Sequence, residues 1–143
     1  MREILFRGKR VDNGEWVEGG IIPLDPDSGY IFIAEPYLSA STLPVHEIVK
    51  HHMHLVAPDT VGQCTDLTAN GKKIFEGDIV KFGDILGIIN FGSGCYCVKT
   101  NKPDWRGRNN PAIDIVFNEY PNEIKIIGNI HDNPELLKGG TNK

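Results

Sequence analysis

Polar and apolar positions along this chain alternate in short runs, and apolar residues seldom recur at the three- and four-residue spacing of an amphipathic helix. Glycine (16 residues) and proline (9) interrupt the runs every few positions, so short strands are the expected element. In EILFRGKRVDNGEWVEGGII, Asn13-Gly14 offers the positive backbone angles of a type I′ turn between two partly alternating segments, which predicts a hairpin. GYIFIAE (29–35) predicts a third strand, with Tyr30, Phe32 and Ala34 on one face and Ile31, Ile33 and Glu35 on the other. Apolar residues on both faces predict burial.

From Pro36 to Pro58 the period is mixed and Pro44 interrupts it, so HEIVKHHMHLVA reads as either a strand or a short helix. A second Asn-Gly pair, Asn70-Gly71, marks a turn before Ile74-Phe75 and the corner Glu76-Gly77-Asp78. Five strands are then expected in close succession: DIVKF, GDILGIINF, GSGCYCVKT, AIDIVF and EIKIIGNI. Strands of this length and spacing make a small barrel. One helix start stands out, in HDNPELLK, where Asn133 can cap, Pro134 suits the first helical position and Glu135 suits the first turn's dipole.

Composition narrows the class. A chain of 143 residues is one domain or two small ones, and a chain of this size buries roughly 70% of its unfolded surface. A formal net charge of -4 means that nucleic-acid contact requires a local basic patch. Cys64, Cys95 and Cys97 are an odd set without CxxC spacing, which fits neither a disulfide framework nor a zinc ribbon. No stretch approaches the roughly 18 apolar residues of a membrane span, and charges break MREILFRGKRV. The expected compartment is the cytoplasm, with no membrane partner.

Candidate chemistry is sparse. HEIVKHHMHL holds His46, His51, His52 and His54, but the helical zinc motif H-E-x-x-H fails because Lys50 stands at the second histidine's place. As a strand, His52 and His54 share a face, and a metal still needs a third ligand such as His131 or Cys64. Surface or interface histidines are the expectation, with no metal and no cofactor. Cys95 and Cys97 share a strand face with Tyr96 opposite. Same-face neighbours bridge poorly and no second pair completes a tetrahedral site, so buried small hydrophobes are expected rather than a redox couple or ligand pair. Glu76 and Asp78 read as turn chemistry rather than an acid–base pair. The GSG of residues 92–94 lacks the lysine and helix of a phosphate loop, and no nucleophile triad is found. The loop TNKPDWRGRNNP (100–111) surrounds Trp105 with Lys102, Arg106 and Arg108, a pattern that serves a protein interface, single-stranded nucleic acid, or a tryptophan covering the end of a barrel.

The segments FRGKRVDNGEWVEG, TVGQ, IFEGDIVK and IIGNIHDNPELL together resemble the YopX family, small proteins encoded in bacteriophage and prophage genomes, nearly end to end. The resemblance implies a β-rich fold whose C-terminal half is similar to an SH3-like barrel; it implies no known activity. Two departures from the family's pattern stand out: Cys64 replaces a common aromatic, and Asp66 replaces a glycine often found in the turn at Thr65-Asp66-Leu67. The expected organisation is a mainly β protein with an N-terminal β subdomain (1–60), an SH3-like β-barrel with a terminal helical turn (61–138) and a tail (139–143). The expected function is a noncatalytic module binding a protein partner or itself, with Trp16 and the loop of Lys102, Trp105, Arg106 and Arg108 as its surfaces. Nucleic-acid binding through residues 102–108 is the alternative.

Overall fold

A computed structural model describes residues 4–23, 29–35 and 44–137. The chain is mainly β, with two antiparallel sheets, and divides into two compact units, residues 1–64 and 65–143.

In the first unit β1 (Phe6–Lys9) and β2 (Trp16–Pro23) form the expected hairpin, with Lys9 opposite Trp16. The turn differs from the expectation. Gly14 alone is left-handed (φ 72°), its N–H bonds to the Arg10 carbonyl, and Arg10 N–H bonds to Glu15 O, so the connection is a longer loop and not a two-residue type I′ turn. β2 then changes partner. Its first half pairs with β1 up to Gly19, and from Gly20 it pairs with β3 (Ile31–Ala34), a handover in which Gly19 lets the Ala34 backbone approach.

HEIVKHHMHLVA is neither wholly strand nor wholly helix: α1 (Val45–His52) runs straight into β4 (Met53–Val56), which pairs with β3. Residues 36–43, part of the stretch of mixed period, lie outside the described residues. β4 also returns to the start of the sheet: Val11 N–H bonds to Leu55 O, Ala57 N–H to Lys9 O, and Arg10 bridges Val56. Leu5, Ile33 and Val56 are buried in this unit, and the absent Cβ of Gly8 makes room for the last two. Only Ile33 of the third strand is fully buried; Tyr30 is exposed, so burial of both faces does not hold.

After a 3-10 turn (Pro58–Thr60), β5 (Gly62–Ala69) starts beside β1 and continues into the second unit. Asn70 and Gly71, at φ 52° and 80°, make the left-handed pair of a type I′ turn into β6 (Lys72–Phe75). At the following corner Gly77 takes φ 89° and the buried Asp78 carboxylate accepts the Phe75 N–H at 2.8 Å, which is turn chemistry. β7 (Asp78–Phe82), β8 (Ile85–Gly92) and β9 (Cys95–Thr100) form a meander, and β10 (Lys125–Asn129) returns antiparallel to β7. The order β10-β7-β8-β9 leaves β9 and β10 at opposite edges, so this sheet closes no barrel among the described residues.

AIDIVF is not a strand. Residues 109–112 run beside β9, with Thr100 N–H to Asn109 O at 2.8 Å and Val98 N–H to Pro111 O at 2.9 Å, but the chain turns into α2 (Ile113–Glu119). Ile113, Val116, Phe117 and Tyr120 recur at helical spacing, and all four pack into the core formed by Ile74, Val80, Phe82, Ile89 and Val98. The β-branched run hid that period. Among the described residues, α1 and α2 therefore precede the helical turn expected at the C-terminus. There the turn exists, with Leu136 N–H to Asn133 O and Leu137 N–H to Pro134 O, yet the Asn133 side chain accepts the Asn129 N–H instead of capping. The tail 139–143 lies outside the described residues.

Candidate functional site

The loop after β9 is organised by a residue that the basic–aromatic pattern does not single out. Asp104 Oδ1 accepts the backbone N–H groups of Arg106 and Arg108 at 2.9 Å each, and Oδ2 accepts Arg108 Nε at 2.7 Å. Two backbone bonds, Asp104 N–H to Arg108 O and Gly107 N–H to Asp104 O, close the same turn, with Gly107 at φ 78°. Burial pushes the Asp104 carboxyl up, but the N–H groups of Arg108 and Arg106 and then the Arg108 guanidinium outweigh it and hold the group below the usual carboxylate range.

Glu119, at the C-terminal end of α2, is the second organiser. Its Oε2 accepts Trp105 Nε1 at 3.1 Å and the Arg108 guanidinium at 2.5 Å. The Arg106 guanidinium lies over the Trp105 ring, 4.5 Å from its centroid. Trp105 is thus fixed at its N–H and on one face while 66% exposed. Lys102 lies at the loop's base and pairs with Asp84. Four of the sequence-predicted residues (Lys102, Trp105, Arg106 and Arg108) are therefore brought into one loop. Arg108 and Lys102 enter with carboxylates against them, and Arg106 stands 3.9 Å from Glu119. The Pro103-Asp104 step and Gly107 are the sequence signal for Asp104, whereas nothing local marks Glu119, which reaches the loop only through α2.

Trp16, in the first unit, is differently placed. Its ring lies under Arg7 (4.8 Å) and near Lys9 (5.7 Å), two residues on one face of β1, and it is half-buried. It is a packed cation–π contact rather than an exposed anchor.

The histidines form two acid-paired groups and not one cluster. His51 meets Glu47 at 3.0 Å and His46 meets it at 3.6 Å; His52 Nδ1 and His54 Nε2 meet a single oxygen of Glu35 at 3.0 and 3.1 Å. His52 ends α1 and His54 lies in β4, so their shared direction comes from the helix–strand junction and not from strand alternation. The carboxylate oxygen occupies the space between the rings, and no group of three or more metal-ligating side chains able to hold an ion is found among the described residues. Burial pushes Glu35 up, but hydrogen bonds from His54 and His52 outweigh it and set it below its ordinary value. A depressed folded value contributes stability that is present above the unfolded value, 4.5, and is lost as pH falls through the folded one. Glu35→Gln is accordingly expected to flatten part of the first unit's loss of stability below about pH 4.5, measured by urea unfolding across an acid series; an unchanged slope counts against the contact.

The outer face of the second sheet carries a feature invisible in sequence. Lys81 and Lys125 are direct cross-strand partners, a like-charge pair beside the exposed Ile127. No helix of the described structure is long and apolar enough to cross a membrane.

A family model described as YopX protein matches residues 5–138. The chain belongs to the YopX protein family. No curated protein and no solved structure shows a match. Within this YopX-family chain, Asp66 has φ 71°, the left-handed region in which glycine carries no steric penalty. The Thr65 hydroxyl steadies the same bend, accepting Leu67 N–H and donating to Ile74 O. Asp66→Gly is expected to raise stability by about 0.5–1 kcal/mol, read as a higher urea midpoint.

Proposed function

We infer that this protein is a noncatalytic interaction module of bacteriophage or prophage origin, acting in the host cytoplasm by binding a protein partner or a second copy of itself. The observation that carries the reading is Trp105: a large aromatic held in position by Glu119 and Arg106 while most of its surface faces solvent. Binding orders such a side chain at little further entropic cost, and aromatic anchors dominate interface energies. The family resemblance supports an SH3-like reading of the second unit, and loops on small β folds often carry recognition.

Nucleic-acid binding by the same loop is the second reading, favoured by the stacked Arg106–Trp105 pair. It is the weaker of the two because Asp84, Asp104 and Glu119 already neutralise the cations a phosphate needs. The test is retention of partners from host lysate on immobilised protein, with and without nuclease, beside Trp105→Ala, and light scattering for self-association. The protein-binding reading expects a defined partner, or a self-associated species, that survives nuclease and weakens about tenfold or more in Trp105→Ala. Capture that disappears with nuclease and falls steeply with salt transfers the function to nucleic acid. An unaffected Trp105→Ala removes the loop from either role.

A further inference from the structure

Cys95 opens β9 immediately after a turn in which Ser93 and Gly94 take φ values of 53° and 82°. Cys97 follows on the same face of the strand, and the two sulfurs stand 3.5 Å apart. Their access is opposite: Cys95 is exposed, whereas Cys97 is only 6% exposed. Their restraints differ too. Cys97 lies opposite Asn90 in the ladder and bridges Ala112, while Cys95 occupies the last rung, opposite Gly92, with its sulfur 3.8 Å from that residue's carbonyl. The expectation of two buried small hydrophobes therefore holds for Cys97 alone.

The geometry points to Cys95 and Cys97 as a peroxide-responsive thiol pair that closes a reversible disulfide at the tip of the β8–β9 hairpin. In the first step the accessible Cys95 sulfur attacks one oxygen of a hydroperoxide. A sulfur–oxygen bond forms, the oxygen–oxygen bond breaks, and the thiol proton leaves with the departing oxygen as water or an alcohol. The Cys97 sulfur then attacks the resulting sulfenic acid; a sulfur–sulfur bond forms, the sulfur–oxygen bond breaks, and water departs with the Cys97 proton. A dithiol reductant reverses the bond by exchange. Burial, with the Cys95 contact behind it, pushes the Cys97 thiol up, which suits it to resolve rather than to attack first.

Same-face strand neighbours have Cα atoms about 6.6 Å apart, near the long end of the roughly 4.4–6.8 Å range of disulfides. Closure therefore draws Cys95 inward, and a bond held under that tension is more easily reduced, the property of a regulatory disulfide rather than a structural staple. The intervening Tyr96 meets the exposed Phe91 edge-on at 5.1 Å, so closure also disturbs an aromatic pair on the other face.

The experiment treats the reduced full chain with hydrogen peroxide, blocks remaining thiols with N-ethylmaleimide, and reads intact mass and peptide maps. The expected product is a monomer in which Cys95 and Cys97 are joined and Cys64 is alkylated, with an altered near-ultraviolet dichroism that dithiothreitol restores. Cys95→Ser and Cys97→Ser each abolish that product, while Cys64→Ser keeps it. Intermolecular dimers through Cys95 as the wild-type product, or both thiols still alkylated at a peroxide dose that oxidises Cys64, overturn the assignment.

Discussion

Gly19→Ala is expected to destabilise the first unit by about 3 kcal/mol, the upper end of what overpacking costs, whereas Gly20→Ala is expected to be neutral or stabilising by up to about 1 kcal/mol. The two glycines are adjacent in sequence and opposite in circumstance. A Cβ on Gly19 overlaps the carbonyl oxygen and carbon of Ala34, which are backbone atoms and cannot swing aside as a side-chain tip can. Relief requires pulling β3 away just where β2 leaves β1 and takes up its second partner. A Cβ on Gly20 meets nothing within 4 Å, and alanine there reduces the freedom of the unfolded chain. The protein carries its own reporters, since its two tryptophans fall one in each unit. In a Trp105→Phe background, Trp16 fluorescence during urea unfolding follows the first unit. A Gly19→Ala midpoint equal to that of Gly20→Ala refutes the close approach.

Asp104→Ala is expected to cost about 2 kcal/mol, since it removes the acceptor for two backbone N–H groups in one turn, with partial rescue by water. Its consequence for the surface is larger than its consequence for the fold. Without the carboxylate, Arg108 loses one of its two acidic partners, and the loop no longer has a reason to present Trp105 at a fixed angle. Asp104→Asn keeps the Oδ1 acceptor but sets an amide against the guanidinium, so an intermediate loss is expected. The pH dependence separates these effects. Because the folded Asp104 lies below its ordinary 3.8, its contribution is present above that value and is lost as pH falls through the lower folded one. The wild type is expected to lose this increment at the acid end of a titration and Asp104→Asn to show none of it. Trp105 emission, in a Trp16→Phe background, is the measurement; equal acid profiles for the two proteins exclude the Asp104 turn as the loop's organiser.

Local signals in the chain were enough for most of the β structure. Asn70-Gly71 specifies its turn because both residues must be left-handed and both tolerate it. Gly77 and Asp78 specify the corner for the same kind of reason, a backbone angle and a short side chain within reach of its own amide. Gly77, Gly83 and Gly94, all at positive φ, bracketed β7, β8 and β9, and in β8 alternate residues are buried on one face. Where local signals conflict, tertiary packing decides. AIDIVF has strand-forming residue types at helical spacing, and the spacing prevailed because Ile113 and Val116 had a core to enter.

The same division runs through the candidate surface. That Trp105 sits in a loop among cations follows from residue order alone, since Pro103, Gly107 and the surrounding polar residues exclude a helix or central strand. That those cations are already neutralised, that Glu119 holds the indole, that Glu35 joins two histidines and that Gly19 rather than Gly20 is the tight position were all settled by tertiary structure. Each depends on a partner distant in the chain, and a linear sequence carries no term for which distant groups meet until the sheets and α2 have packed.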